Sequence, residues 1–443
     1  MEFKKITVGN FAENLDRFRI PLSSAEREKK RGKYPYYGAA KIIDYVDGFT
    51  HSGLSVLIAE DGSVETDKGY PVVQLANGEY WVNNHTHVLK GKNDWDTLYL
   101  YYALQIIKVS PFVTGAVQKK ISQKALNSME LNYFEDPMIR RKIVESLLGL
   151  DKKIELNTQI NQTLEQIAQT IFKSWFIDFD PVHAKANALA SGQTAEQATQ
   201  AAMAVISGKN TQELHRLQTA NPEQYQQLWE IAEAFPSGFD EEGVPRGWGQ
   251  TTLSEVCSMK NGYAFKSSDW TDEGIPVIKI GSVKPMIVEV DGNGFVDEEH
   301  SVLHSEFLLT EGDIVVGLTG YVGEVGRIPQ GRTAMLNQRV AKFIPNKLNE
   351  QQDYYSFVYC LVRDKSFKAF AETNAKGSAQ ANISTKELLN YSIILASSEI
   401  QMKFESLIKP LLDKILVNSG NNENLSKVRD LLLPKLLSGE IHL

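Results

Sequence analysis

Two stretches of this chain place apolar residues at alternating steps of four and three. Ile143, Leu147, Leu150, Ile154, Asn157, Asn161, Leu164, Ala168 and Ile171 form the first line. Phe404, Ile408, Leu411, Ile415, Asn418, Asn422 and Leu425, followed by Val428 or Arg429 and then Leu432, run nearly the same way. Such spacing keeps one stripe of a helix turned toward a partner helix, so the pattern predicts two long helices that pair as a coiled coil. Each stripe carries two asparagines at matching depth. A polar residue on such a seam costs stability but sets register, since burying it alone is worse than pairing it. Two unrelated helices, each lying on its own domain, would also account for the stripes, but the duplicated asparagines favour mutual pairing. Asp136-Pro137 supplies a capping side chain and a proline at the first helical position. Residues 137–172 would then form a rod on the order of 50 Å, at about 1.5 Å per residue. Pro410 and Gly420 predict a kink or bend in the second helix.

Outside the stripes the pattern changes. The run from Gly312 to Ile328 is β-rich and punctuated by glycine, as hairpins are. A duplication then organises the chain. Gly115, Gln118, Ile121, Ser122, Lys124 and Leu126 recur as Gly377, Gln380, Ile383, Ser384, Lys386 and Leu388 at a constant offset of 262. Asn83-Asn84-His85 aligns with Asn337-Gln338-Arg339 at an offset of 254, and Gly53–Ile58 resembles Gly312–Val316. The fold class expected is therefore α+β, an internal repeat of two similar β-rich domains. The domains span 1–135 and 246–396, each followed by a long helix, at 136–182 and 397–443. Between the repeats, residues 183–245 are rich in Ala and Gln and read as a linker with short helices of its own.

Charge complicates the reading. The formal net charge of −8 speaks against nucleic-acid binding, yet residues 183–245 alone hold 3 basic and 8 acidic groups. The remaining segments are near neutral, which leaves room for a local basic face. Two cysteines, Cys257 and Cys360, exclude a disulfide framework and a thiolate metal cluster. Without a signal peptide or an apolar run of membrane-spanning length, a cytoplasmic location is expected. No phosphate-binding loop occurs, nor the Asn/Asp-Pro-Pro-aromatic tetrapeptide of amino-methyltransferases. The Gly317, Gly320, Gly323, Gly326 run lacks the following helix a nucleotide loop needs, and hairpin turns are the better reading. His85 and His87 show no third metal ligand. The residues describe a binding protein without catalytic residues or a metal.

Ile171-Phe-Lys-Ser-Trp-Phe-Ile-Asp-Phe-Asp-Pro-Val182 resembles the helix-end phrase of the specificity subunits of type I restriction–modification systems. Matching features are Leu150-Asp-Lys-Lys-Ile154 with Asn157, Asn161 and Leu164, the passage from Phe235 to Trp248, and the tail Leu433–Ile441. The resemblance covers nearly the whole chain. It implies two target-recognition domains, each reading one half of a split double-stranded DNA site, and two antiparallel helices that set the gap. It also implies two methyltransferase subunits and endonuclease/translocase subunits as partners. This chain would hold no cofactor; S-adenosylmethionine, ATP and magnesium would belong to those partners. The alternatives are the non-catalytic recognition module of another methyltransferase-based defence system, or a scaffold that binds protein only.

Base readout needs side chains that hydrogen-bond base edges, with cations for phosphates. The repeated loops offer Gln118, Lys119 and Lys120 in one copy and Lys376, Ser378, Gln380 and Asn382 in the other. The shared Gly and Gln suit a common structural turn, so Lys119, Lys120 and Lys376 are the better contacts. Thr319, Tyr321 and Arg327 are hairpin-tip candidates, and Arg27, Lys29, Lys30, Arg31 and Lys33 form a basic run. Trp175, Phe176 and Phe179 are expected to pack the helix end rather than stack on bases. Inserting one whole heptad into each long helix should widen the gap between the recognised half-sites and leave both half-sites unchanged. Mapping methylated adenines reads this directly, and an unchanged gap counts against the helices as a ruler.

Overall fold

Ser55-Val-Leu-Ile-Ala59 is apolar almost throughout, and such a run suits a strand covered on both faces. In the computed structural model, which describes residues 2–115, 118–377 and 380–441, this strand is buried along its whole length. The chain divides into two units, one of residues up to Glu155 together with Glu423 onward, the other of Leu156–Asn422. In the first unit, Ser55–Ala59 lies inside a four-stranded sheet ordered Glu13–Asn14, Thr86–Lys90, Ser55–Ala59, Val73–Ala76. A second sheet is ordered Ile42–Val46, Arg31–Tyr37, Glu79–Val82, His51–Ser52. Val56, Ile58, Leu89, Tyr99 and Leu100 are fully buried in the core that also takes in Ile143, Val144 and Leu147.

The second unit repeats this plan and adds one edge strand to each sheet. Its first sheet runs Cys257–Asn261, Val340–Pro345, Ile314–Gly317, Val325–Arg327, Met286–Ile287. The second runs Trp270–Thr271, Phe295–Val296, Ile275–Ile278, Ala334–Leu336, Leu308–Leu309. Register agrees as well. Ala59 faces Thr86 across an antiparallel ladder, and Gly317 faces Val340 across its counterpart. Tyr36 and Trp81 are parallel partners, as are Val277 and Met335. These ladders make Ile58 equivalent to Val316, as the sequence match has it, but one extra residue separates Gly53 from the place of Gly312. The glycine-punctuated run forms the expected hairpin, with Val316 opposite Val325.

Residues 183–245 lie within four helices, Asp180–Ala190, Ala195–Ser207, Thr211–Ala220 and Pro222–Ala234, and the segment after them. Met203, Leu214, Leu228 and Ala232 give them a small core, which makes the segment a folded module more than a linker. Lys185 fastens it, donating from a buried ammonium to the carbonyls of Ala232, Glu233 and Phe235. Those carbonyls form the open C-terminal end of the Pro222–Ala234 helix, and the ammonium satisfies them.

The long helices span Pro137–Phe176 and Ser398–Leu437. Asp136 caps the first, its carboxylate accepting from the Met138 N–H at 2.8 Å. The second is helical throughout, Pro410 and Gly420 included. Gly420 has a packing reason: a Cβ there would stand 3.1 Å from the Gln330 Cβ. In the second unit the helices run antiparallel. Asn157 Nδ2 donates to Asn422 Oδ1 at 2.8 Å, and Asn418 Nδ2 donates to Asn161 Oδ1 at 2.9 Å. Each pair is the other's counterpart in the repeat. In the first unit Asp151 accepts from Arg429 and Tyr102, and Leu433, Leu436 and Leu437 join the core.

Along the seam, Ile143, Leu147, Phe404, Ile408 and Ile415 are fully buried. Leu150, Ile154, Leu164, Ile171, Leu411, Asn422, Leu425 and Leu432 are half-buried. Leu412 is fully buried where the heptad line named its neighbour, because this face of the helix also meets the second unit's own core. At the helix end Trp175 and Phe176 are buried among Phe235, Phe357 and Phe404, with Phe176 and Phe404 ring centroids 4.9 Å apart. Phe179 packs edge-on against Trp248.

Replacing Asn418 alone by Leu leaves the buried Asn161 Oδ1 without its donor and should cost about 1–3 kcal/mol. Replacing both Asn161 and Asn418 by Leu should restore most of that loss or exceed the parent. Denaturant unfolding in a double-mutant cycle measures the difference. Simple additivity would show that the two amides act independently.

Candidate nucleic-acid interface

The loops that hold the candidate residues are fixed by backbone bonds before any side chain is considered. In the second unit, Leu318 N–H donates to Arg339 O at 2.9 Å, Gly320 N–H to Ala381 O at 2.8 Å, and Ile383 N–H to Leu318 O at 3.0 Å. The first unit repeats all three: Glu60 N–H to His85 O at 2.9 Å, Gly62 N–H to Lys119 O at 3.0 Å, Ile121 N–H to Glu60 O at 2.8 Å. Asn83 Oδ1 accepts from His85 N–H, and Asn337 Oδ1 accepts from Arg339 N–H. Gly115 and Gly377 both sit at positive φ, and a Cβ on either would strike the carbonyl oxygen of Gln118 or Gln380. The residues shared by the two copies therefore build the frame.

The exposed positions on that frame differ. In the second unit Thr319, Tyr321, Gln380 and Asn382 come together, with Thr319 Oγ1 donating to Asn382 Oδ1 at 2.9 Å. Tyr321 is 71% exposed. Lys376 pairs in the backbone with Asn382, and its ammonium meets Glu387 at 2.6 Å. That bond, with those from Ser384, holds the Glu387 carboxyl down to about 2. Ser378 lies outside the described residues. Arg327 needs correction. It is not at the hairpin tip but fully buried on strand Val325–Arg327, donating to Leu412 O at 3.1 Å with its guanidinium over the Tyr359 ring. A buried guanidinium held in this way has no reach to DNA. Gln338 and Arg339 are exposed beside the hairpin, in the loop that the Asn337–Arg339 match marks, and no local pattern singles them out among the polar residues.

The first unit's frame is acidic as well as basic. Lys119 pairs with Glu65 and Lys120 with Glu60 at 3.0 Å, both lysines remaining about half exposed. His85 Nδ1 lies 2.8 Å from Asp61 Oδ2. Gln118 is exposed beside them. The basic run spans the helix Ser24–Lys29, its cap Lys30 and the start of strand Arg31–Tyr37, whose other end meets the frame where Asn83 N–H donates to Tyr37 O. Arg27 is tied to Asp44, Lys30 sits over Trp81 and Lys33 over Tyr34, while Lys29 and Arg31 are exposed. Exposed Phe18, Tyr45 and Phe49 add aromatic surface in this unit.

The fold also gives His87 the company that the sequence did not reveal. Asp16, Glu60 and His87 place their donor atoms within 4.8 Å of one another. Arg19 donates to Glu60 at 2.6 Å and stands 3.4 Å from Asp16, while His87 Nε2 bonds Ile121 O at 2.8 Å. With a guanidinium among the acids and both imidazole nitrogens engaged, the group is an ion-pair network and a poor seat for a metal. Burial alone would raise the Asp16 carboxyl, but the His87 hydrogen bond and charge, the Val88 N–H and Arg19 bring it below its ordinary 3.8.

A doubled β-rich unit, each copy presenting different polar side chains on one conserved loop frame, defines a two-module recognition protein. The chain belongs to the type I restriction modification DNA specificity family, whose domain model matches residues 1–166 and 245–427. Both matched stretches end on the long helices, at positions the repeat makes equivalent. The chain is 36% identical over 333 residues to the Type I restriction enzyme HindI specificity subunit of Haemophilus influenzae, covering 73% of this chain and 71% of that one. It is 26% identical to the MjaIX specificity subunit of Methanocaldococcus jannaschii, over 77% of this chain and 68% of that one. The fold matches the crystal structure of the S subunit of a type I restriction-modification system from M. genitalium, with a TM-score of 0.54 at 17% identity and coverage of 98% and 96%. DNA sequence specificity is thus the family's function and this chain's. Among the described residues no helix is long and apolar enough to cross a membrane.

Acid should weaken the first unit. A carboxyl whose folded value lies below its unfolded one contributes stability that is present above about 3.8 and lost as pH falls through the folded value. Asp16→Asn should therefore lower stability at neutral pH and flatten its fall below pH 4, as followed by thermal unfolding across that range. An unchanged acid profile would show that Asp16 is not part of the acid response.

Proposed function

We propose that this chain reads a bipartite double-stranded DNA site, one unit per half, and scaffolds methyltransferase and endonuclease/translocase subunits that carry out modification and cleavage. The observation that carries this reading is the loop frame. The same three backbone bonds occur in each unit, with Asp61, His85 and Lys120 in one set against Thr319, Arg339 and Asn382 in the other. A constant scaffold with varied exposed donors and acceptors suits two related readers of different base sequences. Methyl transfer and ATP-driven steps belong to the partner subunits, with S-adenosylmethionine, ATP and magnesium bound there. The complex works in the cytoplasm, where the DNA is.

The paired lysines suit phosphate contact. Half-exposed ion pairs of this type are worth about 0–1 kcal/mol, so a phosphate can take over Lys119 or Lys120 at little cost. Exchanging residues 1–135 for those of a relative, then mapping methylated adenines in genomic DNA, should change one half-site and preserve the other. Simultaneous change of both halves would overturn the modular reading, and no change in either would overturn DNA reading by this unit.

A further inference from the structure

Within the proposed reading, one position is arranged to select a base. We propose that Arg339 is a specificity-determining residue of the second unit and reads a guanine through its O6 and N7. This deepens the assignment of the unit as a reader by naming the side chain and its target.

The argument starts from the backbone. Arg339 is anchored on both sides of its Cα: its N–H donates to Asn337 Oδ1 at 3.3 Å, and its carbonyl accepts from Leu318 N–H at 2.9 Å. Asn337 itself is buried. The side chain is exposed and projects from a loop whose position the sheet fixes. Rigid support of this kind is what a directional contact requires.

Charge then separates Arg339 from the other cations of the frames. Lys376 is held by Glu387, Lys119 by Glu65 and Lys120 by Glu60. Buried Arg327 is spent on Leu412 and Tyr359, and Arg363 is held by Glu165. Among the described residues no carboxylate lies within ion-pair distance of Arg339. Its planar fork of donors is therefore available, and that fork matches the two acceptors guanine shows in the major groove. Thr319, Tyr321, Gln380 and Asn382 surround the same loop frame with smaller polar groups and an aromatic ring.

The repeat supplies an internal contrast. The place of Arg339 is taken in the first unit by His85, on the same two backbone bonds, with its ring held by Asp61. The scaffold is thus indifferent to the side chain at this position, as a position free to change specificity must be. A guanidinium needed for folding would not be exchanged for an imidazole paired to an acid.

The test uses the full chain in its methyltransferase complex, with the two half-sites first mapped by methylation. Each guanine of the second half-site is then replaced by 7-deazaguanine, which lacks the N7 acceptor. One replacement should weaken binding by the parent complex on the order of 10-fold and leave the Arg339→Ala complex unaffected. Arg339→Ala should bind all four base pairs at that position about equally, and Arg339→Lys should keep overall affinity while losing most of the discrimination. The proposal is overturned if the second half-site contains no guanine, or if Arg339→Ala weakens every sequence by one factor with a shallower salt dependence, as a phosphate contact would. Failure of the wider reading looks different: exchange of residues 246–396 would then leave the second half-site unaltered.

Discussion

A carboxamide removed from water needs partners for two N–H groups and a carbonyl, and a helix seam offers them only in one alignment. Asn157 with Asn422 and Asn161 with Asn418 meet this requirement inside the second unit. Leucine and isoleucine on the same stripe would resist a slip of one heptad less, because apolar positions recur every seven residues and meet apolar positions again. The amides do not tolerate it. Asn161 also donates to Ser419 Oγ, so a slip would leave several buried groups unpaired at once. The registration of every other contact between these helix segments, including the burial of Phe404 against Phe172 and Phe176, follows from that constraint.

The loop frames separate two tasks that are often combined in one residue. Backbone amides and buried asparagines hold the loops, while exposed side chains are left to differ. The same division explains the electrostatics. A formal charge of −8 belongs to the whole chain, but the helical module between the repeats carries a large share of it, and the loop frames balance their lysines with their own acids. The electrostatic part of DNA binding carries no sequence information, and these pairs leave the frames without a strong excess of positive charge. Net charge was therefore a poor guide to what this protein binds.

Much of the architecture was legible in the residues. Heptad spacing located both long helices, and the duplicated Gly, Gln, Ile and Ser located equivalent loops, because periodic burial and required turns leave marks at fixed spacing. The packing reason for Gly420 was not legible, since it lies in Gln330, ninety residues away in sequence. Arg327 misled for a similar reason. A cation among glycines and valines reads as a hairpin tip until Leu412 and Tyr359 are seen to receive it. The Asp16, Glu60 and His87 network joins residues far apart in sequence, and no local motif announces it. Arg339 stood in plain view inside the Asn337–Arg339 match, yet nothing in sequence distinguishes a free arginine from a paired one.

The division of the chain into units has a consequence for biosynthesis. The second unit is nested within the first, so every residue it needs has been made once Asn422 has left the ribosome. The first unit begins earlier but must wait for Leu433, Leu436 and Leu437 to fill its core. Until then the core around Ile143, Val144 and Leu147 lacks those three leucines. The module that starts first is finished last.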